Sequence, residues 1–300
     1  MSRHHRHPCR RVLGACLLGA PLLACEPALA QDAAHMQARH DGVREQLARS
    51  PFNRPLLLQS NQSANALNGT VQAVVDQPFS VVGPALTGAG HWCDLLMLHL
   101  NVKACGVRRT DTGEKLSTVL GRKVEQPSAD GYKVEFAYEV PASRPDYLKV
   151  QMSADDGPLG THDYRLSLEA SPLDAKRTLL NLSYAYAYGT VARLAMEGYL
   201  NTLGRDKVGF SVTGKRPDGT PIYVDGVRGV IERNTMRYYL AIETYLGTLT
   251  TPAREQPERR LNDWYAATEQ YALQLHELSR DEYLSMKRHE LQRQQAAAPP

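Results

Sequence analysis

From Val134 to Tyr188 the chain alternates apolar and polar residues in four successive segments, and this period of two constrains the fold more than any other feature of its 300 residues. Val134, Phe136, Tyr138 and Val140 alternate with Lys133, Glu135 and Glu139, and Leu148, Val150 and Met152 with Lys149 and Gln151. Tyr164, Leu166 and Leu168 then alternate with Arg165, Ser167 and Glu169. Leu180, Leu182, Tyr184, Tyr186 and Tyr188 do so with Asn181, Ser183, Ala185 and Ala187. Successive side chains of a strand point to opposite faces, so each segment reads as a half-buried strand. Turn residues at Asp155-Asp156-Gly157-Pro158 and Ser171-Pro172-Leu173-Asp174 separate them. The pattern predicts an antiparallel meander with one apolar face.

The flanks supply what covers that face. From Gly69, Val71, Ala73 and Val75 predict an earlier strand, and Pro78 opens a helical stretch through Val81, Val82 and Leu86 to Trp92. Gly189 ends the meander, and Val191, Leu194, Ala195, Gly198 and Tyr199 recur at helical spacing, which predicts the covering helix at 190–203. Val208 to Val224 reads as a hairpin about Pro217-Asp218-Gly219. Met236 to Leu249 and Leu261 to Gln294 read as helices separated by Pro252 and Pro257, followed by a frayed Ala-Ala-Ala-Pro-Pro end. Ahead of all this, Ala33 to Arg49 has helical propensity until Pro51 and Pro55 break it.

The first thirty residues have a different character. Arg3, Arg6, Arg10 and Arg11 precede an apolar run, Val12 to Ala24, that is too short to span a bilayer, and Ala28-Leu29-Ala30 offers a leader-peptidase site before Gln31. This reads as a signal peptide and a periplasmic destination. A competing reading takes Leu22-Leu23-Ala24-Cys25 as a lipobox, with membrane association only through a lipidated Cys25. Taking the leader's four arginines and Glu26 from the 35 basic and 32 acidic residues leaves the remainder formally neutral, which removes the charge argument for a nucleic-acid partner. Of five cysteines, only Cys93 and Cys105 lie beyond the leader. In an oxidising compartment they are expected to pair, contributing about 3 kcal/mol in the chain-entropy model. Two separately buried thiols are the alternative, and two thiols without suitably spaced partners do not make a zinc site.

The stretch Gly69-Thr70-Val71-Gln72-Ala73-Val74-Val75-Asp76-Gln77-Pro78-Phe79, followed by helix to Trp92, resembles the opening of START-like (SRPBCC) helix-grip domains. The resemblance is one of pattern and covers about residues 60 to 205. It implies an α+β fold in which a curved antiparallel sheet and a long covering helix grip an apolar ligand. It carries over no catalytic residue, because members of such families bind lipids, cyclise polyketides or serve as plain binding modules. On this reading residues 1–30 are the signal peptide and 31–59 a helical arm and linker. Residues 60–205 are the START-like domain, and 206–295 a hairpin and C-terminal helical extension packed on it.

Within that frame Tyr184, Tyr186 and Tyr188 are the first ligand-facing candidates, with Phe136, Tyr138 and Met152 behind them. Phenol rings suit a hydrophobic small molecule or lipid bearing a few polar atoms, while an ordinary packed core is the plainer reading. The expected function is non-catalytic binding, without a cofactor. A cavity-based cyclase or hydrolase using His99 or His162 with Asp94, and an interaction protein without a ligand, are the alternatives. His91 and His99 stand too far apart along the chain for a His-Glu-x-x-His zinc motif, and no Gly-x-Ser-x-Gly, Ser-x-x-Lys or complete Gly-x-x-x-x-Gly-Lys-Ser/Thr motif occurs. In the dense run from Gly226 to Asn234, Asn234 is the expected helix cap. Arg228 or Arg233 would then meet an acidic group there, and a buried ion-pair scaffold is the plainer reading of the run.

Overall fold

The computed structural model describes residues 29–201 and 205–297. In chain order the elements are α1 (Leu29–Ala48), β1 (Leu56–Gln62), β2 (Ala66–Val75), α2 (Phe79–Leu86), α3 (Ala89–Leu96), β3 (Val102–Thr110), β4 (Gly113–Leu120), β5 (Tyr132–Arg144), β6 (Tyr147–Asp156), β7 (Thr161–Pro172) and β8 (Thr178–Tyr188). There follow α4 (Thr190–Asn201), β9 (Val212–Lys215), β10 (Pro221–Tyr223), α5 (Gly226–Gly247), α6 (Gln256–Glu269), α7 (Ala272–Leu275) and α8 (Arg280–Ala297). The signal-peptide and lipobox readings lie outside the described residues, except that Leu29 and Ala30 open α1.

Strands β1 to β8 form one antiparallel sheet in the order β1-β2-β8-β7-β6-β5-β4-β3. The four alternating segments become β5 to β8, and β2 closes the set by pairing with β8. Val71, Leu182, Leu168 and Val150 stand opposite one another across four strands, each with no exposed surface. A one-residue slip in any of these strands would turn its share of that row to the other face, so burial fixes the register. Bulges at 102/104, 139/142 and 162/165 bend the strands and give the sheet a hollow side. The other side is partly covered by α1, where Met36 packs on Tyr147 and Leu179 and Arg39 pairs with Glu169 at 2.9 Å.

The helix that fills the hollow is α5, and not the segment at 190–203. Helix α5 lies on β1, β2 and β8, and 14 of its 22 residues are buried, enough to seat it on the core along its whole length. It sits so close that a Cβ on Gly69 would come within 2.2 Å of Thr235 Oγ1, so β2 needs a glycine there. Helix α4 instead leaves Val191 66% and Leu194 59% exposed, with Ala192 buried and Met196 half-buried. Asn234 is inside α5, with Asp225 at the capping position. The acidic partner of this region is Glu232, which accepts hydrogen bonds from Ser60 Oγ, Phe210 N, Ser211 N and Ser211 Oγ at 2.5–2.9 Å. Arg228 reaches it through Ser60, at 2.8 Å.

Other boundaries shift by less. The stretch from Pro78 to Trp92 is two helices separated at Thr87-Gly88, and 261–294 falls into α6, α7 and α8. β1 begins at Leu56, within the stretch read as a linker. Cys93 on α3 and Cys105 on β3 are joined by a disulfide, with Cα atoms 5.2 Å apart. Helix α8 packs along β3, the last strand of the sheet, and Gln294 accepts the Cys105 backbone N–H at 2.9 Å. Beneath it Glu290 lies between Lys103 and Lys287, all three with no exposed surface.

Candidate functional site

The six expected ligand-facing residues share the hollow face of the sheet. Tyr138, Met152, Tyr184, Tyr186 and Tyr188 are 2–7% exposed, and Phe136 is half-buried at their edge. Strand register places Tyr138 opposite Met152. The Tyr138 hydroxyl donates to Thr87 O at 2.9 Å, so this ring also holds the α2–α3 junction to the sheet.

The aromatic rings form a chain. From Phe136 it runs edge-on to Tyr164 at 6.1 Å between centroids, and Tyr164 stacks on Tyr186 at 5.3 Å. Tyr184 lies 5.7 Å from Tyr186 and meets Tyr238 of α5 at 5.0 Å, and Tyr238 stacks on His99 at 4.8 Å. These rings occupy the space between the sheet and α5. Burial raises the phenol pKa of Tyr164, Tyr184, Tyr186 and Tyr238, so each stays a neutral donor. Tyr164, Tyr238 and Arg237 belong to this site but were not selected from the sequence. The alternation that exposed β8 also placed Tyr164 on the apolar face. Nothing of that kind marked Tyr238, which stands on a helix assigned outside the domain.

The histidine and carboxylate candidates do not come together. Asp94 pairs with Arg260 of α6 at 3.0 Å. His99 accepts the Asn101 backbone N–H at Nδ1, 3.1 Å away, which puts the proton of the neutral ring on Nε2. Burial, then the nearby Arg237, Lys123, Lys287 and Lys103, hold His99 well below the usual imidazole range. His162 bonds Asp163 at 2.8 Å on the surface, both side chains being more than 40% exposed. His91 Nδ1 donates locally to Ala85 O, 2.9 Å away. Among the described residues no group of three or more His, Cys, Asp or Glu could hold a metal ion.

Beside His99 the aromatic chain meets a set of charges. Arg237 Nη2 and Lys123 Nζ both donate to Glu277 Oε1, at 2.8 and 2.5 Å. Burial disfavours the charge on Glu277, yet Arg237 and Lys123 hold its carboxyl below the usual range. Burial is also the main cause that lowers Lys123 to about 7, with Arg237 adding to it.

No family model and no curated protein matches the sequence. Three solved structures are similar in fold. Truncated norcoclaurine synthase from Thalictrum flavum is 16% identical, with 48% of this chain and 91% of that chain covered and a TM-score of 0.33. The Zhui aromatase/cyclase from Streptomyces sp. R1128 is 12% identical over 65% and 96%, with a TM-score of 0.36. A START superfamily protein from Mycobacterium smegmatis is 14% identical over 47% and 97%, with a TM-score of 0.31. With its curved antiparallel sheet, β2 joined to β8 and a long helix lying in the hollow, this chain has an α+β architecture in which a helix is gripped by the sheet.

Proposed function

We propose that this protein is an exported, non-catalytic binder of a lipid or other hydrophobic small molecule, held between the meander and α5. The observation that carries this reading is the chain of buried tyrosines on the hollow face. A core built for stability alone is served by aliphatic side chains or phenylalanine, because a buried hydroxyl with a poor partner costs about 1–3 kcal/mol. The Tyr186 hydroxyl has the thioether of Met196 as its acceptor, 3.9 Å away, and thioether sulfur accepts weakly. An amphipathic ligand would give that hydroxyl a stronger partner and the rings an apolar face to cover.

Met196 is half-buried on α4, the helix that exposes Val191 and Leu194, so the route to Tyr186 that disturbs least packing passes beneath α4. Export rests on the basic leader and apolar run before Gln31, with a lipid anchor at Cys25 as the competing form. No helix among the described residues is long and apolar enough to cross a membrane. Catalysis has less support, since neither His99 nor His162 bonds Asp94.

Native mass spectrometry of protein purified from a periplasm, followed by denaturing extraction, tests the proposal. A released lipid-like mass is expected. Tyr184→Ala is expected to lower its occupancy at least about tenfold, the effect of losing roughly 1.4 kcal/mol of contact. A clean apo mass that persists after incubation with a membrane lipid extract would rule out the carrier.

A further inference from the structure

The aromatic chain ends in a cationic corner that packing alone does not call for. Arg237 and Arg233 of α5 are each 1% exposed, and Lys123 comes in from the β4–β5 loop. Arg237 and Lys123 share a single carboxylate oxygen, Glu277 Oε1. Two cationic side chains thus converge on one acceptor atom in a medium that solvates them poorly. Two buried donors in the same corner, Arg237 Nε and His99 Nε2, have no hydrogen-bond partner among the described residues. These unused N–H groups beside the Arg237 and Lys123 side chains suit an acceptor that arrives from outside.

The corner can be reached. The Lys123 side chain is 23% exposed, and Tyr238, which stacks on His99 and abuts Tyr184, is half-buried. The run of aromatic rings therefore continues into the charged side chains, and Lys123 carries it to the surface. Glu277 stands in the short linker between α7 and α8, outside any helix or strand, where its side chain can leave without unwinding an element.

We propose that the ligand is an amphipathic acid whose carboxylate is received by Arg237, Lys123 and His99, and that Glu277 occupies this place as an internal surrogate until the ligand displaces it. The inference rests on the binding function above. Arg237 and Lys123 already hold a carboxylate, so an incoming one exchanges like for like and gains the donors that Glu277 leaves unused. An alcohol or ester of the same shape gains neither and leaves the Glu277 pairs intact.

Fluorescence titration with 1-pyrenebutyrate and its neutral twin 1-pyrenebutanol tests this. The acid is expected to bind about tenfold or more tightly than the alcohol, as charge-assisted hydrogen bonds exceed neutral ones. Glu277→Gln removes the competing charge and is expected to tighten the acid by about tenfold while leaving the alcohol unchanged. Arg237→Gln is expected to erase the preference. Equal binding of acid and alcohol in all three proteins would overturn the head-group inference and leave the binding function standing, whereas binding of neither would overturn both. If Arg237→Gln does not fold, Glu277→Gln still decides, because damage to the fold does not produce a selective gain in affinity.

Discussion

Two buried charge clusters have the same stoichiometry and opposite character. Lys103, Lys287 and Glu290 form one, Arg237, Lys123 and Glu277 the other, each with two cations to a carboxylate. In the first, the Lys103 ammonium donates to Leu100 O, Val124 O and Glu290, and that of Lys287 to His99 O, Val102 O and Glu290. All three hydrogens of each ammonium are used, and no part of the set reaches solvent. The second reaches the surface at Lys123 and leaves Arg237 Nε unpaired. Buried charge by itself therefore does not mark a site. A saturated set joins two elements, here β3 and α8, whereas a set that reaches solvent and leaves a donor unused has capacity to spare.

Three measurements would break or sharpen that contrast. Glu290→Gln strands two ammoniums beneath α8 and is expected to cost about 3–5 kcal/mol in denaturant unfolding, the usual penalty for orphaning a buried charge. A loss below about 1 kcal/mol would mean the triad is not the clasp described.

The second measurement is of pH. Burial lowers Lys287 to about 8 in the folded protein, against 10.5 for an ordinary lysine. Between those values the unfolded chain holds the proton and the folded one does not, so stability rises with pH from about 8 upward. The buried tyrosines reverse the trend near pH 10, where the unfolded chain begins to lose its phenolic protons. Lys287 is expected to contribute about 1–2 kcal/mol of the rise between pH 8 and 9.5, beside what Lys123 and Lys103, also lowered by burial, add, so Lys287→Met is expected to rise by that much less than wild type. Parallel pH profiles for the two proteins would contradict the assignment.

The smallest effect belongs to Glu277→Gln, expected to cost about 1 kcal/mol, because Lys123 can shed its proton or turn to solvent and Arg237 keeps Leu275 O at 3.2 Å. A cost equal to that of Glu290→Gln would make both clusters scaffolding.

How much of this was legible depended on what lay beneath each pattern. The strands β5 to β8 were legible because each buries one face and wets the other, so alternation maps directly onto position. Tyr184, Tyr186 and Tyr188 were legible for the same reason. Helix α5 was read only from Met236 onward and not as the filling of the hollow, because Glu232, Arg233 and Arg237 occupy buried positions and interrupt the apolar stripe by which a core helix is recognised. Helix α4 erred the other way, its Val191 and Leu194 reading as a core face while standing in solvent. β3 was missed partly because Lys103, fully buried, reads as an outward residue. The corner at Arg237 was hidden along with α5, since a charge is read as surface until its partner is seen.

The pairing of β2 with β8 sets the order in which the molecule can be assembled. Val71 meets its neighbour Leu182 only when more than a hundred further residues exist, and the hollow they help to form stays unfilled until α5 follows. Contacts of such long reach slow folding, because chain closure comes before the burial that rewards it. A nascent chain that has just completed β8 is a sheet without its filling, its apolar face open to water or to other chains. The last helix, α8, then closes the far edge, so the first strand pairing and the final clasp are separated by nearly the whole length of the polypeptide.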